Sequence, residues 1–208
     1  MGEVIKKEPK TFSDFLRTAF KGIVEPIAGF LIRLGIKPNT VTLSGLVGHI
    51  VAGYLVIIGH VTAAGIVTLV MAPVDFLDGT MARLSGESSI LGAFVDSVTD
   101  RYSELILLGC LLAYFLQKQD WISCLGIYAA ASGSILVSYI RSKAEGLGFN
   151  AKIGLLSRVE RYIILVPAMI FNYPMIGIWI IAVLANFTAL QRIWHVRQQY
   201  FASVGHKE

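Results

Sequence analysis

The chain has 208 residues, of which 55% are hydrophobic and only 15% charged, and its mean hydropathy is +0.66. The length suits one domain, and the composition excludes a disordered or ordinary water-soluble chain and points to a bilayer. The net charge of +4 does not argue for nucleic acid, because the basic residues are distributed as membrane topology would place them.

The first ten residues, MGEVIKKEPK, are polar, and no apolar core precedes residue 22, so no cleavable signal peptide is expected. Residues 11–35 are amphipathic. Phe12, Phe15, Leu16, Ala19, Phe20 and Ile23 recur at helical spacing, with Arg17 and Lys21 opposite. This predicts a helix lying in the cytoplasmic interface, kinked or broken at Pro26. Ile36-Lys37-Pro38-Asn39-Thr40-Val41-Thr42 reads as a turn and a capped helix start. Six spanning segments follow, at about 40–59, 62–84, 89–117, 121–144, 156–172 and 174–196. Breaks fall at Gly59-His60, Gly86, 117–120, the polar 145–155 stretch and Asn172-Tyr173-Pro174. The expected fold is an all-α integral membrane protein in one domain over 1–208, with an interfacial segment at 1–35 and a six-helix core at 36–198. Cys110 and Cys124 lie in apolar runs and read as small buried hydrophobes. His49, His60, His195 and His206 show no metal-ligand spacing and read as structural or interfacial.

With the N-terminus placed inside, the outer loops contain a single basic residue, Lys118. Every other Lys and Arg falls on the inner side or at inner helix ends, as the positive-inside rule requires. The expected product is a multi-pass protein of the cell membrane whose polar site opens to the cytoplasm.

The site is expected between residues 75 and 100, DFLDGTMARLSGESSILGAFVDSVTD. Asp75 and Asp78 are three apart, and Asp96 and Asp100 are four apart, so on helices each pair shares a face. Gly79, Ala82 and Gly92 lie on or near those faces, where small side chains let another helix or a ligand approach. Gly86 with its flanking serines marks a turn, which predicts a helical hairpin with four carboxylates converging at its mouth. Four such charges in low dielectric need protons or cations, and hard oxygen ligands suit Mg²⁺ or Mn²⁺. Two metals about 3.5–4 Å apart form a clamp for displacement at phosphorus. Helix glue with nearby arginines is the bland alternative, but the aspartates outnumber the local bases Arg83 and Arg101.

This stretch resembles the signature of the CDP-alcohol phosphotransferase family, D-x2-D-G-x2-A-R-x8-G-x3-D-x3-D. Asp75, Asp78, Gly79, Ala82, Arg83, Gly92, Asp96 and Asp100 match it with every spacer at the family's length. The resemblance implies that Asp75, Asp78, Asp96 and Asp100 hold two divalent metals and that Asp100 is also the general base on the attacking hydroxyl. It assigns Gly79, Ala82, Arg83 and Ser89 to the CDP part of a CDP-lipid donor. Lys37, Pro38, Asn39 and Thr40 resemble the family's Pro-Asn-x-x-Thr stretch, which closes over the same nucleotide. A homodimer is also implied.

Arg101 follows the last aspartate, Arg141 and Lys143 close the fourth segment, and Arg158 and Arg161 open the fifth. Arg158 and Arg161 share a helix face with only Glu160 nearby as a partner, and Glu104 lies one turn beyond Asp100, placed to support the site from behind. These basic residues either grip anionic headgroups or form an anion pocket suited to a phosphate, whose oxygens arginine binds bidentately. SYIRSKAEGLG and SRVERYIIL resemble the branch that transfers a phosphatidyl-type group to inositol phosphate, and DSVTDRYSE resembles its archaeal members. Glycerol 3-phosphate is the alternative acceptor. A divalent-cation transporter also explains intramembrane aspartates, but it should show inverted-repeat halves, and residues 101–208 hold no second aspartate pattern. A membrane prenyltransferase needs a second Asp-rich motif and more spans.

Overall fold

The structure, a computed structural model, describes residues 12–86 and 89–204, with the side chains of 12–17, 75 and 204 outside that description. The described residues fold into eight helices: α1 (Phe12–Arg33), α2 (Pro38–Ile57), α3 (Val61–Met71), α4 (Val74–Ser85), α5 (Ile90–Gln117), α6 (Trp121–Gly146), α7 (Arg158–Ile170) and α8 (Pro174–Val204). Four stretches are long and apolar enough to cross a bilayer: Pro38–Ile57, Val61–Ser85, Trp121–Gly146 and Pro174–Ser203. α5 is long enough but carries Asp96, Asp100, Arg101 and Glu104. α7 has only 13 residues.

The expected breaks coincide with backbone that leaves the right-handed helix. Gly59, Gly86, Gln119 and Asn172 all have positive φ, between 57° and 89°, which ends a helix cleanly. Asp120 then caps α6, accepting from Ser123 N at 3.0 Å and Ser123 Oγ at 2.5 Å.

Three expectations need correction. α1 runs as one helix through Pro26, so the break that was one of the two expected outcomes there is absent. The 62–84 segment is not one helix: it divides after Met71, and Pro73 stands in front of α4. Proline lacks the N–H for Leu69 and its ring crowds that carbonyl, so the aspartate-bearing turn starts afresh as a helix N-terminus. At α2, Lys37 occupies the cap position in extended backbone without a side-chain cap bond. Pro38 at the first helical position has no N–H to satisfy and a preset φ, so the helix starts without a polar cap.

The main core joins α2, α3, α5, α6, α7 and α8 through residues such as Val56, Ala64, Leu111, Ile127, Met169 and Ile181. Small residues set the close crossings. A Cβ on Gly65 would lie 2.9 Å from Ile170 N, and one on Gly133 would lie 2.7 Å from Asn186 Nδ2. Asn186 also donates across the α6–α8 contact to Ala129 O at 2.9 Å. A second, smaller cluster of Ala28, Val41 and Met81 ties α1, α2 and α4 together at the motif end. Along α1, Phe20, Ile23, Ile27 and Phe30 are exposed at helical spacing.

Candidate active site

The two motif helices meet on α2. Both α4 and α5 pack against α2 rather than closely on one another among the described residues, which corrects the expectation of a closed α4–α5 hairpin. The starts of α2 and α5 are neighbours: a Cβ on Gly92 would lie 3.7 Å from Asn39 Oδ1.

Asp78 is 4% exposed, and neutral donors hold both of its oxygens. Thr42 Oγ1 donates to Oδ2 at 2.6 Å, and Gly79 N donates to Oδ1 at 2.5 Å. Thr42 lies one turn into α2 from Pro38, whose carbonyl is 3.2 Å from the same hydroxyl. Thr42, rather than Thr40, is the threonine at the Pro-Asn-x-x-Thr spacing from Pro38 and Asn39.

Asp96 and Asp100 are both half-buried on one face of α5. Asp100 faces cations. Arg158 Nη1 is 2.5 Å from its Oδ1, and Arg101 Nη1 is 3.6 Å from its Oδ2. Arg101 also donates to Ser97 O at 2.7 Å. One turn further along both helices, Arg161 donates through Nε and Nη2 to the two oxygens of Glu104, at 2.6 and 2.8 Å, with the arginine 2% exposed. Glu160, the partner expected for these arginines, instead accepts from Ser157 at the start of α7. Arg141 pairs with Glu145 on its own helix at 2.9 Å, and Lys143 is exposed.

On the donor side, Ser89 caps α5, accepting from Gly92 N at 2.9 Å. A Cβ on Gly79 would lie 3.6 Å from Arg83 Nη1, an ordinary contact, so Gly79 faces the Arg83 guanidinium without being crowded by it. Arg83 donates to Thr80 Oγ1 at 2.9 Å and lines a cavity of about 380 Å³ shared with Lys21, Glu25 and Phe76 between α1 and α4. Ala82 is half-buried, and Lys37, Asn39 and Thr40 are exposed at the start of α2. A separate cavity of about 660 Å³ lies between residues 153–155 and α8 and touches none of the aspartates.

Sequence reasoning passed over Arg192. It is 4% exposed on α8 and donates to Ile153 O at 2.8 Å and Val137 O at 2.5 Å. With Thr188, which accepts from Leu156 N at 3.2 Å, and Gln199, which bonds Asn150 N and O, it ties the connection before Arg158 to α8.

Among the described residues, no three His, Cys, Asp or Glu side chains are grouped closely enough to hold a metal ion, and the Asp75 side chain lies outside that description. The chemistry of the donors nevertheless fits a hard divalent cation: Asp78, Asp96 and Asp100 are carboxylates, and Asp78 has the Thr42 hydroxyl beside it.

Fold and site thus define a helical membrane protein with carboxylates on packed helices and arginines against one of them. The sequence model described as CDP-alcohol phosphatidyltransferase matches residues 36–193, and the chain belongs to that family. An archaetidylinositol phosphate synthase of Pyrococcus horikoshii is 35% identical over 185 residues, covering 88% of this chain and 96% of the relative. A phosphatidylinositol phosphate synthase of Streptomyces avermitilis is 34% identical over 203 residues, covering 89% and 82%. The crystal structure of Mycobacterium tuberculosis phosphatidylinositol phosphate synthase with CDP-DAG bound superposes with a TM-score of 0.78 at 29% identity, covering 84% of this chain and 93% of that one. The same enzyme in complex with manganese and citrate gives 0.79 at 28% identity, covering 83% and 88%.

Proposed function

We propose that this chain transfers the phosphatidyl or archaetidyl group of a CDP-lipid to a hydroxyl of inositol phosphate, releasing CMP. The observation that carries the acceptor is the Arg158–Asp100 contact, with Arg101 on the other oxygen. It sets cationic, phosphate-compatible groups against the carboxylate that needs to meet the acceptor hydroxyl. Relatives named for inositol phosphate transfer at 34–35% identity support the same reading.

The acceptor oxygen attacks the lipid-bearing phosphorus of the CDP-lipid. The new P–O bond forms as the bond to CMP breaks, and the hydroxyl proton passes to Asp100. Asp75, Asp78, Asp96 and Asp100 would hold two divalent cations, Mg²⁺ with Mn²⁺ as a substitute, and these when bound offset charge on the pyrophosphate. Gly79, Ala82, Arg83 and Ser89, with Lys37, Pro38, Asn39 and Thr40, bind the CDP portion. Thr42 keeps Asp78 turned inward. Arg101 and Arg158 take the acceptor phosphate, Arg161 backs them through Glu104, and Arg141 and Lys143 extend the positive entrance.

In the membrane, α2, α3 with α4, α5, α6, α7 and α8 make six spans in one domain, and the exposed apolar stripe of α1 rests in the interface. The site faces the cytoplasm, where the positive-inside distribution puts the Arg- and Lys-bearing helix ends. The enzyme works as a homodimer.

The test is CMP release by purified protein in CDP-lipid micelles with Mg²⁺, using inositol phosphate, glycerol 3-phosphate and serine in separate reactions. Release with inositol phosphate is expected. Release with glycerol 3-phosphate or serine alone would discard the reading of the arginines.

A further inference from the structure

Arg158 rests on more than Asp100. Its guanidinium carbon lies 5.2 Å from the ring centroid of Tyr162, one turn further along α7. The Tyr162 hydroxyl is 3.1 Å from His49 Nε2, and His49 Nδ1 is 2.8 Å from Gly45 O. A carbonyl only accepts, so Nδ1 carries a proton, and in the neutral ring Nε2 accepts from the tyrosine hydroxyl. The two rings meet edge to face at 78°, with centroids 5.7 Å apart, and His49 is 2% exposed. α2 thereby holds the tyrosine, the tyrosine carries the arginine, and the arginine reaches the carboxylate on α5.

We propose that Tyr162, seated on His49, is a positioning residue for the acceptor side of the site. Resting on the inositol phosphate reading above, it gives that reading a residue that acts without touching substrate. A long arginine has many rotamers, and an aromatic face beneath the guanidinium favours the ones that reach Asp100. Without the ring, Arg158 still carries its charge but samples other positions, so the loss falls on acceptor binding. The donor side, built on α4 and the start of α2, is left alone.

The test measures KM for inositol phosphate and for CDP-lipid separately in Tyr162→Leu and Tyr162→Phe. Tyr162→Leu is expected to raise the acceptor KM about tenfold, with the donor KM within about twofold. Tyr162→Phe keeps the ring but loses its seat on His49, and its acceptor KM should rise about two- to threefold. In an Arg158→Gln background, neither substitution should raise the acceptor KM further. Equal rises in both KM values, or the same added loss in the Arg158→Gln background, would overturn the proposal. If Tyr162→Leu does not fold, Tyr162→Phe, which keeps the packing volume, decides the matter by the same two criteria. The unaltered enzyme is measured first. Its failure to use inositol phosphate would overturn the functional reading alone, and the Tyr162 comparison would then use whichever acceptor releases CMP.

Discussion

α5 and α7 are joined by two ion pairs one turn apart, and they differ in every respect that matters. The inner pair, Glu104 with Arg161, is bidentate and buried, with side chains 11% and 2% exposed. The outer pair, Asp100 with Arg158, meets through Nη1 and Oδ1 at 2.5 Å, and its side chains are 15% and 18% exposed. A closed bidentate pair away from water is a strut, because removing either partner strands a charge. The outer pair is less buried and shares its carboxylate with a second arginine, Arg101 Nη1 standing 3.6 Å from Asp100 Oδ2. On the proposed function, a carboxylate–arginine pair therefore serves architecture at one level and chemistry one turn away.

Breaking the outer pair at its acid should have the largest effect on turnover. Asp100→Asn removes the proposed base and one carboxylate donor, and kcat should fall by about 10²–10⁴-fold while the thermal midpoint in detergent barely changes. Breaking the inner pair should do the reverse. Glu104→Gln or Arg161→Ala should cost about 3–5 kcal/mol of stability, read as a large drop in thermal midpoint. Arg158→Gln should leave that midpoint near the parent's and raise the acceptor KM about ten- to a hundredfold, the weight of a hydrogen bond to a charged group. Thr42→Val should cost about 1.5–3 kcal/mol of support for Asp78, seen as a higher Mg²⁺ requirement with an unchanged acceptor KM. The smallest effect expected is from Thr188→Val, which removes the Leu156 bond on the connection to α7, about 0.5–1.5 kcal/mol of stability.

The aspartates could be read from the sequence because helical spacing and the signature agree on them, and the helix breaks because Gly, Asn and Pro mark them locally. The partners could not. Glu104 and Arg161 are 57 residues apart, as are Ala129 and Asn186, and nothing local says which helices will adjoin. Glu104 was expected behind the site from its spacing to Asp100, yet its arginine was misassigned because Glu160 is the nearer acid in sequence. Arg192 reads as one more basic residue at a helix end until the carbonyls of Ile153 and Val137 are seen against it. His49 read as structural, and its burial agrees, but its bond to Tyr162 depends on how α2 and α7 pack. Pro73 was in plain view, but hydropathy averages across a two-residue interruption and so joined α3 to α4.

The most direct test of the outer pair as the acceptor's phosphate site is the ratio of kcat/KM for inositol phosphate to that for unphosphorylated inositol, in the parent and in Arg158→Gln. The account predicts a strong preference for the phosphorylated acceptor in the parent and a ratio reduced at least about tenfold in the variant. An unchanged ratio, in folded and active protein, would show that the acceptor phosphate binds elsewhere and that Arg158 serves only to hold Asp100.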